Sequence, residues 1–200
     1  MPLPRLRPRL SPGLAAPALL LGGALWGVLW IPLRGLGEIG VEGGWAGVTL
    51  FSGALLALAP AAVARRRALA ARARALAVCG LFTGAAFALY ATSVMLTEVA
   101  RAILLFYLTP VWSALIGRLA LGERLGPRRL AALALGLAGL ATVLGGDGGP
   151  PLPRNAGDWM ALGSGLAWAF GALQVNRLHG AGAADQVIAF LLGALAVSAA

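Results

Sequence analysis

The side chains of this sequence suited to acting on another molecule are mostly aromatic. Trp26, Trp30, Tyr90, Tyr107 and Trp168 lie within long apolar runs, together with one amide, Gln174, and one helix-breaking residue, Pro110. Their chemistry would be recognition rather than bond making. Rings placed deep in a run can line a cavity for a solute, and their competing role is packing against lipid or a neighbouring helix. Trp26 and Trp30 are four residues apart, so a helix sets them on one face. Gln174 is costly to bury and fits a cavity better than a lipid face. Pro110 removes one backbone hydrogen bond and frees the carbonyl of Phe106. That makes it either a flexible point lining a pathway or a static kink.

Bond-making chemistry is poorly supplied. The single cysteine, Cys79, sits in an apolar run and reads as a small buried hydrophobe. The single histidine, His179, has no Cys, His or carboxylate cluster around it in sequence and reads as a solvated loop residue. There is no Gly-x-Ser-x-Gly and no phosphate-binding loop. No catalytic residue, metal ligand or cofactor is therefore expected, and an integral-membrane enzyme acting on lipid is the weaker alternative. Glu98 and Arg101 are spaced for a local ion pair, while Arg34 and Arg101 are expected to snorkel to an interface. Glu123 reads as structural, bonding the next helix or pairing with Arg124, Arg128 or Arg129.

The elements that must position these residues follow from composition. Sixty per cent of the 200 residues are hydrophobic and 12% charged, where soluble domains carry about 25% charged residues. A soluble protein of this length could not hide so much apolar surface, so lipid is the solvent. A transmembrane helix needs about 20 apolar residues. Seven runs qualify or nearly do: 14–33, 45–63, 76–96, 102–119, 130–144, 159–175 and 186–200. None alternates with a period of two, so the fold class is an all-α integral membrane protein, a multi-spanning helical bundle.

Arginine placement orients the spans. All sixteen basic residues are Arg. Arg5, Arg7 and Arg9 precede the first run, Arg65, Arg66, Arg67, Arg72 and Arg74 follow the second, Arg118, Arg124, Arg128 and Arg129 follow the fourth, and Arg177 follows the sixth. The alternate gaps hold Arg34, Arg101 and Arg154 with most of the acidic residues. Arg-rich loops stay cytoplasmic, so the N-terminus is assigned to the cytoplasm. The net charge of +9 is thereby explained by orientation, and no nucleic-acid partner is implied, since no basic stripe with interleaved aromatics is present. Trp45 and Trp159 fit an interfacial belt.

The sixth run resembles the first: Gly23-Ala-Leu-Trp26-Gly27 aligns with Gly165-Leu-Ala-Trp168-Ala169, and Gly53-Ala-Leu55 aligns with Gly193-Ala-Leu195. The starts of the copies are five runs apart, so the second enters from the opposite face. Inverted repeats are an architecture of secondary transporters, with substrate held between the halves. Gly163, Ala167 and Gly171, like Gly23 and Gly27, are spaced to let helix backbones approach.

The fourth and fifth runs carry a family likeness. Ala102-Ile-Leu-Leu105, Leu108-Thr-Pro-Val111, Leu121-Gly-Glu-Arg-Leu125 and Gly136-Leu-Ala-Gly139 resemble the EamA type of the drug/metabolite transporter superfamily. The resemblance implies a cytoplasmic arm over 1–13, one five-helix repeat over 14–145, a Gly/Pro-rich external loop over 146–156, and the start of an inverted second repeat over 157–200. It implies a secondary transporter of the bacterial inner membrane, exporting small organic metabolites, amino acids or drugs by alternating access. Its partners would be the lipid bilayer and a small-molecule substrate. Members usually have ten helices, so the resemblance implies C-terminal truncation, room for a homodimer, and a nonfunctional remnant as a further alternative.

Overall fold

The computed structural model describes residues 12–120, 122–146, 152–178 and 180–200, and among these it contains helices and no strand. Arg5, Arg7, Arg9 and His179 lie outside the described residues. Eleven helical segments follow in order: α1 Pro12–Gly27, α2 Trp30–Glu38, α3 Gly44–Ala57, α4 Ala59–Ala64, α5 Arg66–Ala71, α6 Ala73–Leu96, α7 Val99–Phe106, α8 Thr109–Ala120, α9 Pro127–Leu144, α10 Ala156–Arg177 and α11 Ala183–Ser198. Four spans are long and apolar enough to cross a membrane: Ala16–Glu38, Ala73–Leu96, Val99–Ala120 and Pro127–Leu144. The arrangement is a multi-spanning helical membrane protein. The second run is divided between α3 and α4, and the arginine-rich stretch after it, expected as a loop, is instead helical as α5.

The fourth run is not one uninterrupted helix. It breaks at Tyr107 and Leu108, and Pro110 becomes the second residue of α8, where a missing N–H costs nothing. The Phe106 carbonyl left over at the break accepts a hydrogen bond from the Thr109 hydroxyl at 2.7 Å. The expected mid-helix kink is thus a helix end followed by a helix start, with the orphan acceptor satisfied locally.

The packed centre is α6, embraced by α10 and α11, with α2 and α3 against one side and α7 and α8 against α10. Glycine makes this possible. A Cβ on Gly80 would collide with the Ala189 carbonyl, one on Gly84 with the Ala194 amide, and one on Gly193 with the Gly80 carbonyl, so α6 and α11 meet backbone to backbone. On α10 the close approaches are Gly157 to the end of α6, Gly165 to the Phe106 carbonyl, and Gly171 to Thr83. Gly163, expected on that face, meets only the tip of Leu89 at 3.7 Å, and Gly23 and Gly27 face open space. The small-residue stripe of α10 therefore runs through Gly157, Ala161, Gly165 and Ala169, all buried.

By contrast, α1 and α9 are almost bare. Leu19 and Leu20 are 77% and 76% exposed, and Leu135 is 75% exposed. Apolar surface on this scale is unfavourable in water and neutral in hydrocarbon. Trp45 and Trp159 stand exposed in the first turns of α3 and α10.

Candidate functional site

Seven rings from six helices converge on the middle of α6. Trp26 of α1 stacks on Tyr90 with centroids 4.9 Å apart and lies 4.7 Å from Phe87. Phe106 of α7 packs edge-on to Tyr90 at 5.4 Å. Phe87 continues the chain of contacts to Trp168 of α10 at 5.6 Å and to Phe190 of α11 at 4.6 Å, and Phe190 meets Phe51 of α3 at 6.1 Å. Tilted and edge-to-face pairs of this kind each contribute about 0.5–1.5 kcal/mol beyond area burial.

The cluster forms one wall of a cavity of about 270 Å³ between α6, α10 and α11. Phe87, Trp168 and Phe190 supply its aromatic surface, and Cys79, Thr83 and Gln186 its polar atoms. The Thr83 hydroxyl already donates to the Cys79 carbonyl at 2.8 Å, which leaves the half-buried Gln186 amide as the main polar group offered to a guest. The volume is at the small end of ligand cavities, about 300–1,000 Å³.

The structure brings Trp26, Tyr90 and Trp168 into this cluster, and Trp30 packs against the same hydrophobic core without a ring contact to it among the described residues. Of the other sequence candidates, Tyr107 touches the cluster only through Phe106, with centroids 6.0 Å apart, and Pro110 and Gln174 lie outside it. Tyr107 is 61% exposed and, with Pro110, lines a separate groove between α7–α8 and α9. Gln174 lines a third recess with Arg74 and Arg177. Phe87, Phe106, Phe190 and Gln186 were not singled out in the sequence, because a phenylalanine within an apolar run carries no mark of which way it faces.

Two buried carboxylates hold the ends of the central helices. Asn155 caps α10, its Oδ1 accepting from the Asp158 amide at 2.8 Å. Asp158, fully buried, accepts from Arg101 Nη2 at 2.6 Å, from the Thr97 hydroxyl at 2.7 Å and from the Arg154 amide at 2.9 Å. Arg101 is itself buried and also donates to the Leu152 carbonyl at 3.2 Å. The expected Glu98–Arg101 pair and the snorkelling of Arg101 are thus replaced by an interhelical ion pair, since a buried guanidinium is stable only against a desolvated partner of opposite charge. Nearby, Arg34 donates to the carbonyls of Val94 and Thr97 at 3.3 and 3.1 Å.

At the opposite end of α6, Arg65 holds Asp185 in a fork, Nη2 to Oδ2 at 2.9 Å and Nε to Oδ1 at 2.5 Å, and the Gly182 amide also donates to Asp185 at 3.1 Å. This end carries Arg65, Arg72, Arg74 and Arg177, as their shared contacts with Asp185, Gly180 and the Gln174 recess show. Glu123 pairs with Arg129 at 3.2 Å, both half exposed, a surface pair of small energetic weight. Arg66, Arg67, Arg124 and Arg128 are exposed. The Asn155-x-x-Asp158 spacing is a readable cap signature, but nothing in the sequence joins Asp158 to Arg101, 57 residues away.

A family model described as the EamA-like transporter family matches residues 13–145. Comparison with curated proteins and with solved structures returns no match.

Proposed function

Because the chain belongs to the EamA-like transporter family, and is therefore a membrane transporter of the drug/metabolite type, we propose that it exports small organic solutes with an aromatic or apolar body. The observation that supports this reading is the cavity of about 270 Å³ walled by Phe87, Trp168 and Phe190 with Gln186 at its rim. Such a surface binds a flat apolar group by stacking and orients it with one amide. The cavity lies between α6, within the matched stretch, and α10 and α11, beyond it, the kind of seam at which transporters hold substrate. The ion pairs Arg101–Asp158 and Arg65–Asp185 lie at opposite ends of the central helices, and alternating access would loosen them in turn.

The test is efflux of a panel of small aromatic solutes from cells or proteoliposomes carrying the protein. Trp168→Ala is expected to lower efflux about two- to tenfold, the equivalent of one ring contact. Tyr107→Ala, outside the cavity, is expected to leave it unchanged. Equal effects of the two substitutions would discard this cavity as the solute's path.

A further inference from the structure

The recess holding Gln174 has a different chemistry from the aromatic cavity. It measures about 330 Å³ and lies where α6 begins and α10 ends, lined by Arg74, Ala75, Val78, Gln174, Arg177 and Leu178. The two helices run antiparallel here, since Gly157 of α10 meets the last residues of α6 while Gly171 meets Thr83. Arg74 and Arg177 therefore face the same groove from two helices, one from the first turn and one from the last.

Below the guanidinium groups the groove becomes apolar. On α6, positions 74, 78 and 82 follow at four-residue steps, and on α10, positions 177, 174 and 170 share a face. Val78 is 39% exposed, its neighbour Leu81 is 52% exposed, and Phe82 stacks on Phe170 with centroids 5.6 Å apart. From Arg74 to Phe82 the helix rises about 12 Å, so an apolar lane descends from a cationic rim toward the centre of the bundle. Among the described residues, the carboxylates at this end are Asp185, held by Arg65, and Glu123, beside Arg129. The local field is strongly positive.

We infer that this groove is a binding site for an anionic phospholipid, its phosphate between Arg74 and Arg177, its glycerol region against Gln174, and an acyl chain along Val78 and Phe82. A cationic rim above an open apolar lane complements a lipid better than a soluble anion, which would leave the lane unfilled. Basic pockets between transmembrane helices take such headgroups, and each engaged Arg favours an anionic over a zwitterionic lipid.

The test places a bimane label at Leu81→Cys, in a Cys79→Ala background, with the full chain in phosphatidylcholine vesicles. Doxyl-labelled phosphatidylglycerol is expected to quench it at a mole fraction about fivefold lower than doxyl-labelled phosphatidylcholine if one guanidinium is engaged, and about 30-fold lower if both are. Arg74→Gln/Arg177→Gln is expected to abolish the difference. Should that variant fail to fold, Val78→Trp, which fills the lane and keeps both charges, is expected to weaken quenching by phosphatidylglycerol. Equal quenching by the two lipids overturns the inference, as does a difference that persists in the double-Gln or the Trp variant. Displacement of the labelled lipid by equimolar inorganic phosphate also overturns it, since that would mark a soluble-anion site.

Discussion

Removing the Asp158 carboxylate strips four close donors of their common acceptor: Arg101 Nη2, Arg101 Nε at 3.2 Å, the Thr97 hydroxyl and the Arg154 amide. Asp158→Ala takes the Asp158 carboxylate away from the Arg101 side chain, which is only 10% exposed. Breaking one partner of a buried ion pair costs about 3–5 kcal/mol, because the remaining charge stays desolvated. That is a large share of the 5–15 kcal/mol by which domains are stable. Replacing both partners by apolar residues, Arg101→Met with Asp158→Leu, removes both buried charges and is expected to recover at least half of the loss. The remainder reflects mainly the buried Thr97 hydroxyl, which loses its acceptor at a cost of about 1–3 kcal/mol. The assay is reversible unfolding in mixed micelles, read by far-ultraviolet circular dichroism, for the two single variants and the double. A coupling energy below about 1 kcal/mol, or an Asp158→Ala loss of that size, would refute the assignment of this pair as the bond that holds α10 to α7.

Three further outcomes follow from the same geometry. Gly84→Ala, whose Cβ meets the backbone of α11, is expected to destabilise by about 1–3 kcal/mol. Gly136→Ala, facing open space on α9, is expected to leave the unfolding midpoint unchanged or raise it slightly; matching losses would contradict the packing described. Thr109→Val deprives the Phe106 carbonyl of its donor at 2.7 Å and should cost about 1–2 kcal/mol, while Thr109→Ser should cost less, which thermal unfolding of the pair distinguishes. Finally, membrane-impermeant thiol labelling from outside the cell should reach Gly40→Cys and not Ala70→Cys in a Cys79→Ala background, and neutralising Arg65, Arg66 and Arg67 should blur that difference. Reagent reaching position 70 alone would reverse the orientation.

Much of the architecture could be read from residue types. Runs of twenty apolar residues become helices because lipid satisfies no backbone group, and the boundaries at Pro127, Asn155 and Gly182 coincide with breakers and caps. The site was less legible. Trp26, Tyr90 and Trp168 drew attention by their type, and the structure gathers them, but Tyr107 and Gln174 have equal standing in sequence and face elsewhere. Which side of a nearly all-apolar helix turns inward is invisible when no polar stripe marks the other side. The glycines make the same point: Gly84 and Gly193 touch neighbouring backbones while Gly136 and Gly139 touch nothing.

The amino-acid order alone determined the solvent of this protein, its helical content and the segregation of its arginines, because hydrophobicity and charge sum residue by residue along a chain. Tertiary structure alone decided that α6 lies at the centre, that Arg65 rather than its neighbours Arg66 and Arg67 meets Asp185, and that Arg101 turns from Glu98 to Asp158. Those choices depend on distances between residues far apart in sequence, and a buried charge selects whichever opposite charge the packing places within reach.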